Sequence, residues 1–440
     1  PNRLMAAWAR TAVRAASVLA GAAGAAALTG TAHAAAAGPG ASHDGVGPAP
    51  SPGQPAISGK AAGFADLAPP RRLRVGVLGA TGAVGQRFIH HLEGHPWFDV
   101  VALGASRRSS GKAYGNAVHW TLDGDVPAAV ASHTVRNCEP SEFGDVDFVF
   151  SALDASVAGT IEANFVSAGV PVFSNARNSR MVPNVPLVVP PVNPDHLDVV
   201  RSQRSFADSG AFIVTNANCS TTGLVCALEP IERAFGIEAA IVTTMQAISG
   251  AGYPGLSALD MLDNVIPRIG GEEAKLELEY RKILGGVNST GTGFTDAVFP
   301  LSASANRVHV RDGHMICVSL KLRTKASPGE VEAALAGFVP RDAVVARLPS
   351  APPAFVQVSA GGGDADRPQP RLDRDVGGGY TTVVGRVREC PVMDVKLVVC
   401  SHNTVMGAAG SSILNAELAV AKKLLRSRVG GPVASAGDRV

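Results

Sequence analysis

The sequence has almost no excess of positive over negative charge. It also has no cysteine pair at metal-binding spacing and no long apolar run. Its 440 residues carry 39 basic and 37 acidic side chains, a formal charge of +2. That charge is too small to predict a nucleic-acid or anionic-membrane partner. The six cysteines form no CxxC pair and no zinc-spaced cluster with histidine, so we predict no metal site and reduced thiols. No apolar run is long enough to predict a membrane span.

Residues 1–71 differ in composition from the rest of the chain. They are rich in Ala, Gly, Pro and Ser, with no Asp or Glu before Asp44 and arginines near the start. The weakly apolar stretch Val18–Gly30 fits a signal or transit peptide, and the composition equally fits a low-complexity, disordered extension. We predict a cytoplasmic protein, with a plastid or other organelle as the alternative if this segment is a transit peptide.

A glycine-rich turn follows the first predicted strand. Leu73–Leu78 is a β-rich run suited to a buried parallel strand, and apolar spacing after Gly79–Gly85 predicts an amphipathic helix through Leu92. This context favours a dinucleotide site over a merely structural turn, because residues without a Cβ let backbone N–H groups approach a pyrophosphate. The candidate cofactor contacts in the turn are Gly79, Thr81, Gly82, Ala83 and Val84.

The loop after the second predicted strand indicates which dinucleotide binds. Val100–Ala105 is apolar and is followed by hydroxyl and arginine residues, among them Ser106, Arg108 and Ser109. NAD-specific folds place an acidic residue here to hold the ribose 2′-OH, whereas hydroxyls and a guanidinium suit a 2′-phosphate. The sequence therefore favours NADP as the cofactor, and a solvated basic loop is the alternative.

Further strands and helices alternate along the chain as far as residue 215. Strands are predicted at 146–150 and 170–173, with a helix at about 156–168 between them. Ser151, which follows the earlier strand, is another candidate cofactor contact. The alternation predicts an α/β fold with a Rossmann-type, doubly wound parallel sheet.

Cys219 lies where a predicted strand at 212–215 leads into a helix. Its neighbours in Asn216–Gly223 are amides and hydroxyls, and apolar residues at helical spacing follow. A helix N-terminus favours a thiolate, lowers the cysteine pKa and offers free backbone N–H groups to an oxyanion. The sequence therefore predicts a nucleophile at Cys219, whereas Cys226, on the apolar face of the same helix, fits a buried structural cysteine.

Several separate motifs, in order, resemble the aspartate-semialdehyde dehydrogenase family. The resemblance covers about residues 72–425. Asp366–Arg374 and Ser401–Gly410 look like the archaeal and fungal branch of that family. The segments that carry the wider resemblance are Gly79–Gly85, Asn216–Gly223, Gln246–Gly255 and Arg307–His314.

The resemblance implies a role for the polar residues of these segments. Cys219 would be the nucleophile, Gln246 would orient the acyl intermediate and His314 would be the acid–base residue. Arg307 would bind the substrate α-carboxylate, a task suited to a bidentate guanidinium. Taken singly, such residues more often belong to surface ion pairs or structural contacts. The other implied contacts are Glu272, Lys275, Arg180 and Asn218 for the substrate amino group and phosphate, and Asn403, Ser249 and Gly250 beside the nicotinamide.

The resemblance also implies a reaction. It implies NADP-dependent conversion of L-4-aspartyl phosphate to L-aspartate 4-semialdehyde through a thioester on Cys219, in lysine, methionine and threonine biosynthesis. The implied partners are this small-molecule substrate and inorganic phosphate, and a homodimer or homotetramer is expected. Two alternatives stay open: a malonyl-CoA reductase of the same fold, and a non-catalytic NADP-binding protein.

Four segments are expected along the chain. Residues 1–71 form the extension, and 72–217 form the NADP-binding domain, completed by a C-terminal helix within 401–427. Residues 218–400 form an α+β catalytic and dimerisation domain, in which the alternating run His314–Leu322 predicts a strand. Residues 428–440 form a tail. The C-terminal helix is predicted at Ser411–Arg426.

Overall fold

The computed structural model describes residues 64–425 and residue 428, and its framework is two six-stranded sheets and a two-stranded one. The predictions for residues 1–63, 426–427 and 429–440 lie outside the described residues. The strands are β1 Leu73–Leu78, β2 Phe98–Ala105, β3 Val135–Asn137, β4 Phe148–Ser151, β5 Val172–Ser174, β6 Ile213–Thr215, β7 Ile237–Gln246, β8 Gly286–Val287, β9 Phe294–Thr295, β10 Leu301–Arg307, β11 His314–Leu322, β12 Val356–Val358, β13 Thr382–Glu389 and β14 Val395–Ser401. The α-helices are α1 Ala83–Leu92, α2 Tyr114–Ala117, α3 Ala128–Ala131, α4 Ala155–Ser167, α5 Arg204–Ser209, α6 Cys219–Phe235, α7 Ala258–Met261, α8 Glu272–Ile283, α9 Pro328–Ala336, α10 Pro370–Asp373 and α11 Gly410–Ala421.

The first sheet is parallel throughout, with the strand order β3-β2-β1-β4-β5-β6. This is the strand order of dinucleotide-binding α/β folds, so the predicted doubly wound sheet is confirmed. Its strands are almost wholly apolar because both faces are covered, and rings such as Phe148 and Phe150 pack edge-on in its core, 5.2 Å apart. The predicted first strand matches β1, and the other predicted strands lie within two residues of the observed ones.

The second sheet is mixed, with the order β10-β7-β11-β14-β13-β12. The predicted strand at His314–Leu322 is β11, which pairs antiparallel with both β7 and β14. Strand β10 pairs with β7 in parallel, so that Arg307 lies opposite Gln246 where both strands end. The α+β character predicted for this half of the chain is confirmed, and the pairing collects polar residues at one edge of the sheet.

The ordered part of the chain begins earlier than the predicted residue 72, because residues 64–71 are also part of the fold. The sequence placed them in the extension, yet Phe64 is buried and packs edge-on against Trp97, with the ring centroids 5.7 Å apart. Asp66 forms an ion pair with Arg347. Ala and Pro still make up half of residues 64–71, and a single aromatic contact is too short a pattern to predict order from sequence.

The C-terminal helix is shorter than predicted. It ends at Ala421, because Lys423 takes a φ of 57° and its N–H, like that of Leu424, bonds back to a carbonyl of the last turn. Glycine usually occupies this left-handed position, so a lysine there gave the sequence no stop signal. Helix α11 packs against α1 and β5, which returns the chain to the first sheet. No α-helix among the described residues is both long and apolar enough to cross a membrane.

Candidate active site

Cys219 is the first residue of α6, shortly after strand β6. Asn218 caps this helix, because its side-chain oxygen accepts hydrogen bonds from the N–H groups of Ser220 (3.0 Å) and Thr221 (3.3 Å). The predicted start of the helix at the cysteine is confirmed. The prediction of free first-turn amides is wrong for these two residues, since the Asn218 side chain already occupies them.

The imidazole of His314 contacts the Cys219 sulfur. Its Nε2 lies 3.2 Å from Sγ, and its Nδ1 accepts a hydrogen bond of 3.0 Å from the backbone N–H of Ala247. His314 opens β11 and Ala247 directly follows β7, so the antiparallel pairing of these strands brings them together. Two candidates 95 residues apart in the sequence therefore meet in one contact.

Burial controls the protonation of both groups. It raises the pKa of Cys219 to about 12, with the Glu272 carboxylate adding to the effect and three nearby cations opposing it. Burial likewise lowers the pKa of His314 to about 3, with the Arg307 charge adding to the effect. The direction of this shift is opposite to the lowered cysteine pKa predicted from the helix N-terminus, because burial disfavours the thiolate. The two shifts favour the neutral thiol and the neutral imidazole.

A buried carboxylate lies beside the nucleophile. Glu272, at the start of α8, accepts hydrogen bonds from Asn218 Nδ2 (2.8 Å) and Gln246 Nε2 (3.3 Å), and forms an ion pair with Lys275. Burial alone would raise the pKa of Glu272, but the Lys275 charge and these hydrogen bonds outweigh it and lower the pKa. The predicted Glu272 and Lys275 thus share one helix face, and they meet Asn218 and Gln246 in a single network.

Arg307 closes another side of the site. The parallel pairing of β10 with β7 places it opposite Gln246, and its Nη1 donates a 2.6 Å hydrogen bond to the carbonyl of Ala247. Gly250 packs against this guanidinium, and a Cβ there would lie 2.9 Å from Nη1 and 3.3 Å from Cε1 of His314. The predicted substrate-binding arginine and the predicted histidine therefore lie side by side.

Arg180 is tied to the nucleophile by a residue that the sequence analysis missed. Glu279 forms a 2.9 Å ion pair with Arg180 Nη1 and accepts a 2.7 Å hydrogen bond from the backbone N–H of Asn218. Helix α8 also carries Lys282, which donates to the carbonyl of Arg180 at 2.8 Å. In the sequence, Glu279 could have been identified from the heptad-like spacing of the charged residues Glu272, Lys275, Glu279 and Lys282, which places them on one helix face.

The glycine turn has the close packing expected of a dinucleotide cradle. Gly79 takes a φ of 78°, and a Cβ there would lie 2.7 Å from the carbonyl oxygen of Ala152. A Cβ at Gly85 would lie 2.2 Å from the carbonyl oxygen of Gly79. Thr81, Gly82, Ala83 and Val84 lie between them, and α1 begins at Ala83. The turn therefore fits a dinucleotide.

The loop after β2 borders a cavity of about 540 Å³. Ser106, Arg107, Leu153 and Val157 are among the residues that line this cavity. The predicted Arg108 is exposed on the same turn. The N–H of Ser109 bonds to the carbonyl of Ser106 at 2.8 Å, which closes the turn. Arg107 is thus a cavity residue that the sequence analysis did not single out.

Ser151 is less accessible than its prediction as a cofactor contact assumes. It ends β4 and is fully buried. Its carbonyl accepts hydrogen bonds from the N–H (3.0 Å) and the side-chain amide (3.1 Å) of Asn175.

A second cleft, of about 320 Å³, lies between the glycine turn and the second sheet. Ala83, Ser249, Tyr253 and Thr404 are among its lining residues. The side chain of Asn403 connects two segments beside this cleft. Its Nδ2 donates a hydrogen bond to Ser249 Oγ (2.8 Å), and its Oδ1 accepts one from the N–H of Gly313 (2.8 Å). All three residues predicted to lie beside the nicotinamide, Asn403, Ser249 and Gly250, are therefore brought to one place. Among the described residues no group of three or more His, Cys, Asp or Glu side chains could hold a metal ion.

Two family matches cover most of the first sheet and all of the second. Residues 74–200 match the family described as semialdehyde dehydrogenase, NAD binding domain. Residues 228–406 match the semialdehyde dehydrogenase dimerisation domain.

Individual relatives agree with these matches. The chain is 50% identical over 358 residues to aspartate-semialdehyde dehydrogenase of Schizosaccharomyces pombe, covering 80% of this chain and 99% of the relative. It is 49% identical over 363 residues to that of Trichophyton rubrum, covering 81% and 99%. The crystal structure of aspartate-semialdehyde dehydrogenase with NADP from Candida albicans has a TM-score of 0.73 at 46% identity, covering 80% of this chain and 99% of that chain. With these fungal relatives and both domain matches, the chain belongs to the aspartate-semialdehyde dehydrogenase family.

Proposed function

We propose that the chain catalyses the NADPH-dependent reductive dephosphorylation of L-4-aspartyl phosphate to L-aspartate 4-semialdehyde. The observation that carries this proposal is the 3.2 Å contact between Cys219 Sγ and His314 Nε2, enclosed by Glu272, Arg307 and Arg180. Relatives named aspartate-semialdehyde dehydrogenase support it, and the Candida albicans structure with NADP supports the choice of cofactor. The product would serve lysine, methionine and threonine biosynthesis.

The assigned residues perform the covalent chemistry. Cys219 Sγ attacks the acyl carbon to form a thioester, while Arg180 and Lys275 stabilise the departing phosphate. Arg307 holds the α-carboxylate in a bidentate pair, and Glu272 binds the substrate amino group. Gln246 orients the acyl group, and His314 handles the proton at the sulfur. When bound along the glycine turn, NADPH would supply the hydride that reduces the thioester.

The reverse direction gives a convenient test of this proposal. Purified protein should reduce NADP only when semialdehyde and inorganic phosphate are both present, because phosphate is the group that releases the acyl chain from Cys219. Malonyl-CoA-dependent oxidation of NADPH, measured beside it, tests the alternative substrate. Activity with malonyl-CoA alone would replace the proposal, and NADPH binding without either activity would favour the non-catalytic alternative.

The remaining assignments are proposals of the same kind. We propose an NADP-binding domain that consists of the predicted residues 72–217 together with residues 64–71, since Phe64 packs on Trp97, and that is completed by the C-terminal helix. We propose a catalytic and dimerisation domain at 218–400. The match of residues 228–406 to a dimerisation domain supports an oligomer, for which we propose a homodimer or homotetramer. For the location we propose the cytoplasm, or an organelle if residues 1–71 include a transit peptide.

Selectivity for NADPH should depend on the loop after β2. Replacing Arg108 with alanine should weaken NADPH binding roughly 10- to 100-fold and leave NADH almost unaffected, since a charged hydrogen bond to phosphate contributes about 1.5–3 kcal/mol. Titration of each variant with both cofactors measures this. Arg107→Ala is measured alongside, because Arg107 lines the cavity, and a selective loss there alone would move the phosphate contact by one residue. Equal losses for both cofactors would make the loop structural.

Two cations of the site should affect two different Michaelis constants. Arg307→Lys keeps the charge but loses the bidentate geometry, so it should mainly raise the KM for semialdehyde. Lys275→Ala should mainly raise the KM for phosphate. Arg281→Ala removes an exposed cation from the same helix and is the matched control, with both constants unchanged. If Lys275→Ala lowered only kcat, the assignment of Lys275 to phosphate would be wrong.

A further inference from the structure

The ammonium of Lys282 contacts three backbone carbonyls of one loop. Lys282 lies in the last turn of α8, and its Nζ donates hydrogen bonds to the carbonyls of Arg180 (2.8 Å), Val182 (2.9 Å) and Val185 (2.7 Å). An ammonium has three N–H donors, so these contacts use all of them. The residue is only 4% exposed. One buried charge therefore binds the inner side of the loop 180–185.

The partners of this charge are dipoles and an aromatic ring. Besides the carbonyls, the ring of Phe294 lies 4.6 Å from Nζ of Lys282. Burial lowers the pKa of Lys282 to about 8, with the Asp296 charge opposing the effect, which leaves the ammonium protonated at neutral pH. Its removal would take a charged hydrogen bond from three carbonyls at once.

The other side of the loop faces solvent. Residues 177–178 and 181–183 are exposed, and Met181 and Val182 expose 47% and 39% of their surface. Segments with few buried contacts are the least stable parts of a fold. The position of the Arg180 backbone therefore depends on the contacts that Lys282 makes on the buried side.

Helix α8 also holds the guanidinium of Arg180. Glu279, one turn before Lys282, forms a 2.9 Å ion pair with Nη1, and Nη2 donates a 2.8 Å hydrogen bond to the carbonyl of Asn175. Lys275 lies one turn before Glu279 on the same helix. Helix α8 thus carries one proposed phosphate contact, Lys275, and binds both the backbone and the head group of the other, Arg180. This sets the distance between the two cations.

We propose that Lys282 is a positioning residue for phosphate binding, which holds the backbone of Arg180 so that its guanidinium faces the phosphate group at Cys219. This inference rests on the proposed function, in which Arg180 stabilises the phosphate. Lys282 acts through Arg180 and is not itself a phosphate contact. If Lys282 served only to satisfy buried carbonyls, its loss would lower the melting temperature and leave phosphate binding unchanged.

Replacing Lys282 with methionine keeps the apolar stem and removes the donors. In phosphate-dependent reduction of NADP, this change should raise the KM for phosphate about 10-fold, the effect of one lost charged hydrogen bond, and leave the KM for semialdehyde unchanged. Lys282→Arg keeps a charged donor and should recover most of the loss. Arg281→Ala removes the exposed cation next to it and is the matched control. An equal rise in both Michaelis constants, or a change in the melting temperature alone, would refute the proposal.

A double-mutant cycle with Arg180 separates positioning from an independent effect. Arg180→Gln removes the guanidinium, so Lys282→Met should raise the KM for phosphate little further in that background. Increases that multiply in the double variant would show that Lys282 acts without Arg180 and would overturn the proposal. Lys282→Gln, which keeps an uncharged donor, replaces the methionine variant if that one does not fold. If melts show all three Lys282 variants unfolded, the lysine serves only the fold and the proposal is wrong.

Phosphate binding without turnover distinguishes this inference from the proposed function. The charges of Arg180 and Lys275 both act on the pKa of Cys219, so phosphate bound between them should protect the sulfur from iodoacetamide. Mass spectrometry of the Cys219 peptide measures this, and half-protection should need about 10-fold more inorganic phosphate in Lys282→Met. A protein that shows this pattern without turnover would refute only the proposed function. Protection that is equal in both forms, or absent from the wild type, would refute this inference whatever the turnover.

Discussion

Replacing Cys219 with alanine should abolish turnover and leave NADPH binding unchanged. The sulfur forms the covalent bond on which the proposed reaction depends, whereas the proposed cofactor contacts lie in the glycine turn that begins at Gly79, directly after β1. Cys219→Ser should fare little better, because a hydroxyl is hardly ionised at neutral pH. Phosphate-dependent reduction of NADP and cofactor titration on the same preparations measure the two effects.

Cys226→Ala is the matched control for this result. Cys226 lies on the same helix, is fully buried and belongs to the hydrophobic core. Its loss should lower the melting temperature through a small cavity but leave turnover close to wild type. Residual activity above a few per cent in Cys219→Ala would remove Cys219 from the role of nucleophile.

Replacing His314 with glutamine should lower kcat by roughly 10²- to 10⁴-fold. The imidazole is the group in contact with the Cys219 sulfur, so its removal takes away the acid–base group that faces the reacting atoms. The KM values for phosphate and semialdehyde should change much less, because Lys275 and Arg307 remain.

Steady-state kinetics with a thermal melt of the same sample separate chemistry from folding for this variant. His314 is fully buried, so the melt shows whether the protein still folds before the rate is interpreted. A change confined to the KM for phosphate would place His314 in the binding of phosphate instead of the chemistry. An unfolded variant would mean that His314 serves the structure.

Local patterns were sufficient for much of the fold. The run Leu73–Leu78, the glycine turn and the apolar spacing after it predicted β1 and α1, and the alternating run His314–Leu322 predicted β11. The start of α6 at Cys219 could likewise be predicted from sequence, because a helix cap is a contact between residues that are close in sequence. Where the stop signal was carried by an unusual residue, Lys423, the pattern placed the end of α11 too late.

The sequence by itself determined which residue types were available and which of them lie near one another along the chain. It identified Cys219, Gln246, Glu272, Arg307 and His314 as candidates through several motifs in order, but no local pattern could say that they meet. Only the pairing of β7 with β10 and β11 decided that Arg307 lies opposite Gln246 and that Ala247 reaches the ring of His314.

Only the tertiary structure decided the protonation of the site. From sequence the helix N-terminus predicts a lowered pKa for Cys219, yet burial raises that pKa to about 12. The dipole is a property of one helix and can be predicted locally, whereas desolvation is the sum of everything packed around the sulfur. The ion pair of Glu279 with Arg180 and its hydrogen bond from the Asn218 N–H likewise join three segments that are far apart in sequence. Such a contact exists only once the chain has folded.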